Sequence, residues 1–426
     1  MISATPAAQH GIAAIGRAVV PMLAIAVFIN YVDRGNLATA APLIKDQLHL
    51  SSTQIGLLLS AFFWSYVPAQ ILAGWLAEHN NPYRILAIGL AVWSIATAAS
   101  GLTSEFYALI ALRVLLGLGE SAAYPCSSKL LAHHLTLDRL GSANGLILAG
   151  QALGPAFGTF VGGLLIAQIG WRSVFILFGL ASLLWLVPWY ISTRHVLAHA
   201  DPKSRELGPS FASILRRREI WGASLGHFCQ SYAFYVVISW LPLYLVKSRG
   251  LSMGEMAELG GLIYLVYAAS SYSFGWLADR WIRTGASVSR VRKTVIITGH
   301  VLIAASLVAA AVGNLTVSVI GLFCASFAFG LTTPNIFVIG QTLAGPQAAG
   351  KWIGIQNCIG NCAGIIAPIM TGLVVDRTGQ YYWAFVIAAV LATTGIFGWA
   401  IVIRNVARLD WAIANNTRDA MAGNSA

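Results

Sequence analysis

Apolar runs of about 20 residues recur along the whole chain, each long enough to cross a hydrocarbon core about 30 Å thick. In that solvent every backbone N–H and C=O must find a partner within the protein, so lone runs of this length are helices. They fall at about 18–42, 52–78, 83–102, 105–132, 140–167, 171–192, 219–246, 256–279, 293–312, 315–342, 352–375 and 380–403, twelve in all. Of the 426 residues only 10% are charged, against roughly a quarter in a soluble domain. The expectation is an all-α membrane protein with little mass outside the bilayer.

The first run is too long for a cleaved signal and lacks a small-residue cleavage pattern, so it reads as a retained span. A net charge of +11 would point to nucleic acid in a soluble chain. Its distribution points elsewhere. With a cytoplasmic N-terminus, nineteen of the 26 Lys and Arg lie inside, five outside and two within spans. The positive-inside rule then puts both termini in the cytoplasm of a multi-pass inner-membrane protein. Anionic membrane lipid is the expected neighbour of the basic surplus, and no nucleic-acid partner is expected.

The five cysteines lie in or beside apolar runs. Cys358 and Cys362 share a helical face, but no His or acid is near them in sequence, so packing is their expected role. No metal site, cofactor or disulfide framework is expected. A phosphate-binding Gly-Lys-Ser/Thr loop and a His-Glu-x-x-His pair are both missing, which disfavours ATP-driven transport and leaves no enzyme chemistry or catalytic residue to assign.

One long polar stretch, Arg194 to Arg218, separates six spans from six. It divides the chain into a first bundle (1–193), a cytoplasmic linker (194–218), a second bundle (219–404) and a tail (405–426). The halves echo each other. Gly74-Trp75-Leu76-Ala77-Glu78 recurs as Gly275-Trp276-Leu277-Ala278-Asp279, and Gly163 and Gly170 have counterparts in Gly372 and Gly379. Transporters are commonly built from repeated halves, with the substrate site near the midplane between them.

Four formal charges sit inside spans, where each costs about 2.5–3.5 kcal/mol at a helix centre. Asp33 and Arg34 interrupt the first span, Arg113 and Glu120 the fourth. Tyr31 and Arg34 share a face at i, i+3, while Asp33 points about 100° away and needs a different partner. Arg113 and Glu120, seven apart, look into one cavity at different depths. Counted from the outer ends of their spans, Arg34 and Arg113 share a depth of roughly 12 Å. Two guanidiniums at one level suit a carboxylate, with Glu120 two turns further in. The competing reading is structural: Arg34 with Glu120 and Asp33 with Arg113, as ion pairs between spans 1 and 4. A carboxyl held away from water takes up a proton more readily, which marks Glu120 first and Asp33 second as proton carriers.

The six-plus-six layout with an acidic Gly-x-Leu-Ala-Glu/Asp turn after spans 2 and 8 resembles the major facilitator superfamily. That resemblance implies twelve transmembrane helices in two pseudo-symmetric six-helix bundles, and a conformational loop motif at Gly74, Glu78 and Arg84 and at Gly275, Asp279 and Arg280. The first copy keeps its acid and final Arg but loses the middle basic residues, which implies a weaker loop latch there. Asn30-Tyr-Val-Asp-Arg-Gly-Asn-Leu37, Ser60-Ala-Phe-Phe-Trp-Ser-Tyr66, Arg113-Val-Leu-Leu-Gly-Leu-Gly-Glu120 with Pro125, and Trp240-Leu-Pro242-Leu-Tyr244-Leu245 narrow it. These stretches resemble the anion:cation symporter family, closest to bacterial galactonate-type and hexuronate-type carriers. The resemblance implies that Arg34, Arg113 and Tyr66 hold substrate and that Glu120 and Asp33 handle protons. It adds Gln151 and Asn357 as further substrate-facing positions.

From the residues themselves, Gln151 and Asn357 could equally hydrogen-bond neighbouring helices. The Gly150–Gly158 run serves helix packing, though it also resembles an antiporter pattern. Tyr232, Tyr235, Tyr264 and Tyr267 read as packing residues that could also line a cavity, and His227 and His300 as packing histidines. The combined expectation is a proton-coupled importer of a small organic anion, a sugar acid or related carboxylate, acting as a monomer. A proton-coupled exporter of organic anions or drugs shares this fold and stays open. A non-transporting sensor would need a larger signalling domain than the linker or tail supplies.

Overall fold

The computed structural model describes residues 6–50, 52–199, 208–251 and 253–411. Within these the chain is helical, with no strand. The first bundle comprises α1 (Pro6–Gln47), α2 (Ser52–His79), α3 (Pro82–Ser100), α4 (Phe106–Glu120), α5 (Ala123–His134), α6 (Leu140–Leu183) and α7 (Leu186–His199). A short α8 (Phe211–Leu215) lies in the connection. The second bundle comprises α9 (Arg218–Leu243), α10 (Met253–Arg283), α11 (Val288–Val312), α12 (Leu315–Ala344), α13 (Ala349–Thr378) and α14 (Tyr382–Phe397). Single π-helical turns, Tyr244–Ser248 and Gly398–Val402, extend α9 and α14. Of the expected linker and tail, residues 200–207 and 412–426 lie outside the described residues.

These helices make twelve spans in two pseudo-symmetric six-helix bundles. Helices α4 and α5 are one span bent at Ser121 and Ala122, directly after Glu120. α6 runs through two spans because Gly170 turns the chain at φ 77°, ψ 158°, a region that other residues rarely enter. Gly379, its partner in the repeat, also takes a positive φ, 68°, between α13 and α14. Among the described residues, eight helical stretches are long and apolar enough to cross a membrane on composition alone.

The bundles meet along two seams, α2 against α13 and α6 against α10. At both, the repeated Gly-Trp-Leu-Ala segment supplies the close approach. A Cβ on Gly74 would lie 2.5 Å from the carbonyl oxygen of Gly350, and Gly275 packs as tightly on Gly141. The acid at the end of each segment then reaches the start of a helix in the opposite half. Glu78 accepts the Gly350 N–H at 2.7 Å, in the first turn of α13. Asp279 accepts the Gly141 and Ser142 N–H groups at 3.0 and 2.6 Å, in the first turn of α6. A carboxylate is stabilised there by the unpaired N–H groups and the helix dipole.

The cations of these latches differ from the expected ones. Lys129 of α5 pairs with Glu78 and also donates to the Pro346 carbonyl, so the first latch is complete without the missing loop basics. Arg292 of α11 pairs with Asp279 at 2.5 Å and is fully buried. Arg84 and Arg280 sit elsewhere: Arg280 is exposed over the Trp276 ring, and Arg84 opens on a surface groove. Lys129, midway along α5, is 51 residues from Glu78, and Arg292, in the second turn of α11, is 13 residues from Asp279.

Breaking a buried pair leaves an uncompensated charge. Asp279→Asn should therefore raise the rate at which an aqueous maleimide labels a Ser128→Cys reporter, buried at this face, by about tenfold, the factor for roughly 1.4 kcal/mol. A labelling rate equal to that of the reporter alone would show that the seam does not depend on this pair.

Candidate functional site

Between the bundles lies a cavity of about 500 Å³. The first bundle contributes Tyr31 and Arg34 from α1, Phe63 and Tyr66 from α2, Tyr124 from α5 and Gln151 from α6. The second contributes His227, Gln230 and Tyr235 from α9, Tyr264 and Tyr267 from α10, Thr333 and Phe337 from α12, and Asn357 and Asn361 from α13. Aromatic side chains make up much of its wall, and among the described residues Arg34 is its one guanidinium.

Arg34 is held on three sides by rings. Its guanidinium carbon lies 4.3 Å from the Tyr31 ring centre, 4.5 Å from that of Phe62 and 4.7 Å from that of Tyr66. Behind it is Glu120, 0% exposed, which accepts from Arg34 Nε at 3.0 Å and pairs with Nη2 at 2.9 Å. One side of the cation is thus neutralised by the protein while the side chain also borders the cavity.

This geometry changes the expected fork. Cα–Cβ bonds tilt toward the N-terminus of their own helix, and α1 and α4 run in opposite directions. Arg34 therefore leans toward the face bearing the loop motifs, and Glu120 leans the other way to meet it. The two-turn gap between them closes. Arg113 leans away from Arg34 for the same reason. Its guanidinium carbon lies 5.6 Å from the Phe62 ring centre, buried, and it is not among the residues lining the cavity. Two guanidiniums facing one cavity are therefore not present in this conformation.

Asp33 is buried on the side of α1 away from the cavity, beside Thr97 of α3 and within electrostatic reach of Arg113 and Glu120. No Asp33–Arg113 ion pair forms among the described residues. Of the two ion pairs weighed from sequence, one is made. The four intramembrane charges form a single cluster in which Arg34 alone lines the cavity.

Gln151 and Asn357 both line the cavity and both have protein partners. The Tyr124 hydroxyl donates to Gln151, and Asn357 donates to Gln70 of α2 across the seam at 2.6 Å. Tyr235 donates to Asn361 at 2.9 Å, and Gln230 donates to Thr333 at 3.1 Å. Tyr235, Tyr264, Tyr267 and His227 line the cavity, whereas Tyr232 and His300 pack elsewhere. The sequence pattern does not single out Gln70, Gln230 or Thr333. The readable signal for Gln70 and Gln230 was an amide inside an apolar run; a lone Thr carries none.

Comparison with known proteins agrees with this architecture. Residues 23–368 match the family model described as Major Facilitator Superfamily. The chain is 29% identical over 393 residues to the probable sulfoacetate transporter SauU of Cupriavidus necator, covering 88% of this chain and 90% of that protein. It is also 29% identical over 403 residues to the hexuronate transporter of Bacillus subtilis, covering 91% and 94%. The E. coli fucose:proton symporter FucP superposes with a TM-score of 0.69 at 16% identity, over 90% of this chain and 99% of that one. With the model match spanning most of the sequence, the chain belongs to the Major Facilitator Superfamily and is a multi-pass membrane transporter rather than an enzyme.

Proposed function

We propose that this transporter takes up a hydroxylated organic anion with protons across the inner membrane, and that the anion is a sugar acid such as a hexuronate or aldonate, or a related carboxylate. The observation that carries the reading is the buried Arg34–Glu120 pair bordering a cavity between the halves. An entering carboxylate must compete with Glu120 for the guanidinium. A proton on Glu120 removes that competitor, so protonation and anion binding favour each other, and linkage makes the effect reciprocal. Affinity for the anion therefore rises as pH falls. Asp33 serves as the second proton site. Arg113 completes a carboxylate fork once Phe62 moves.

The rest of the cavity suits a ring bearing hydroxyls. Tyr31, Tyr66 and Tyr235 offer faces for apolar C–H edges, and Gln151 and Asn357 offer amides. The relatives named for a hexuronate and for sulfoacetate support an anionic cargo. Placing both termini and both loop motifs in the cytoplasm makes the latched face the cytoplasmic one, so this state receives substrate from outside. Rocking of the bundles, 1–193 against 219–404 about the 194–218 linker, then exchanges these latches for an inward opening. A monomer holds every group required.

Proteoliposomes with an imposed inward proton gradient test the reading against a panel of radiolabelled organic acids. Concentrative uptake of a sugar acid, lost when the gradient is collapsed, is expected. Accumulation driven only by sodium, or only in the outward direction, would overturn the coupling. Arg113→Lys should weaken apparent affinity about tenfold, because an ammonium cannot replace a planar fork. Wild-type affinity in that variant would remove Arg113 from the site.

A further inference from the structure

A groove of about 610 Å³ lies between α3 and α7 on the outside of the first bundle, and shares no lining residue with the central cavity. We infer that it is a binding site for an anionic phospholipid, with the headgroup phosphate on Arg84 and Arg194 and an acyl chain along Ile88 and Leu186.

Charge comes first. Arg84 and Arg194 are exposed, their guanidiniums have no hydrogen-bond or ion-pair partner among the described residues, and no acidic side chain lines the groove. Two unpaired cations at the rim of an apolar slot call for an anion.

Depth comes second. Arg84 stands at the start of α3 and Arg194 near the end of α7, so both lie at the face that carries the loop motifs. From Arg194, Tyr190 and Leu186 follow at intervals of four on one face of α7; from Arg84, Ile88 follows at four on α3. At 1.5 Å per residue these steps descend by about 6 and then 12 Å. The groove thus passes from cationic through aromatic to aliphatic along the membrane normal, the order of phosphate, interface and acyl chain in a phospholipid.

The walls are preformed. Trp189 is buried beneath the groove, and its indole N–H donates to the Tyr83 carbonyl at 3.1 Å, tying α7 to α3. Ile88 and Tyr190 stay 61% and 63% exposed, as side chains facing lipid rather than protein would be. A soluble phosphate would have no use for that apolar floor, and the floor is why the proposal commits to a lipid.

Native mass spectrometry of the purified full-length protein, titrated with phosphatidylglycerol or phosphatidylcholine, tests the site. Wild type should retain phosphatidylglycerol selectively. Arg84→Gln/Arg194→Gln should weaken that binding about thirtyfold, from two basic residues at the surface. Arg290→Gln/Arg404→Gln removes the same charge from exposed positions elsewhere and should leave it within about twofold of wild type. Ile88→Trp, which fills the slot without touching charge, should weaken it as well. Equal losses in the two double variants would reduce the effect to general surface charge and overturn the site. Full retention in Arg84→Gln/Arg194→Gln or in Ile88→Trp would also overturn it. Competition by glycerol 3-phosphate as effective as by the lipid would replace the phospholipid with a soluble phosphate.

Discussion

Glu120→Gln should abolish accumulation driven by a pH gradient while exchange of substrate across the membrane survives. Gln keeps the shape of Glu120 and can still accept from Arg34, but it cannot carry a proton or a charge. Wild type is expected to concentrate substrate when the outside is acidic; the variant should only equilibrate it, an accumulation ratio of about 1. The pH dependence of binding should flatten in the same variant, because the competitor that protonation removes is already gone. Counterflow and net uptake, measured on one proteoliposome preparation, separate the two properties. Net accumulation at the wild-type level would mean that Glu120 is not the coupling acid.

Arg34→Gln should reduce apparent affinity by about a hundredfold or more. Truncating one partner of a buried charge pair typically removes 2–5 kcal/mol, part of it from the charge left behind. That second part is a stability effect and must be separated from binding. In Arg34→Gln alone, Glu120 stays buried without its counter-ion, and the melting temperature should fall. Combining it with Glu120→Gln removes both charges and should restore the melting temperature without restoring substrate binding. A double variant that regains both would make the pair a structural brace, with the anion held elsewhere. Arg34→Lys is the finer probe: it keeps the charge but loses the planar guanidinium that lies close to the Tyr31, Phe62 and Tyr66 rings.

Glu120→Gln tests coupling, Arg34→Gln tests recognition, and Asp279→Asn tests the α6–α10 seam between the halves. The sign of the gradient that drives accumulation decides between uptake and export.

Much of the architecture was legible because a bilayer is a simple solvent. Helix is the only open choice for a lone apolar run, and the run length is set by membrane thickness. The repeat was equally plain, because a helix crossing that needs glycine and an acid that caps a facing helix recur in both halves at Gly74–Glu78 and Gly275–Asp279. The partners of those acids were not. Lys129 and Arg292 read as topological charges, since nothing in linear order brings Lys129 to Glu78 or singles out Arg292 above Arg280.

The charged cluster shows the same boundary at close range. Sequence alone identified Asp33, Arg34, Arg113 and Glu120 as groups too costly to keep in a membrane without a task, and helical spacing sent Asp33 and Arg34 to different partners. It could not say which arginine meets the cavity. That was decided by tertiary structure, through the opposite directions of α1 and α4. Side chains lean toward the start of their own helix, so Arg34 and Glu120 lean together while Arg113 leans behind Phe62. Composition and periodicity determine which side chains a membrane helix must justify; only the packing of antiparallel neighbours determines which of them touch.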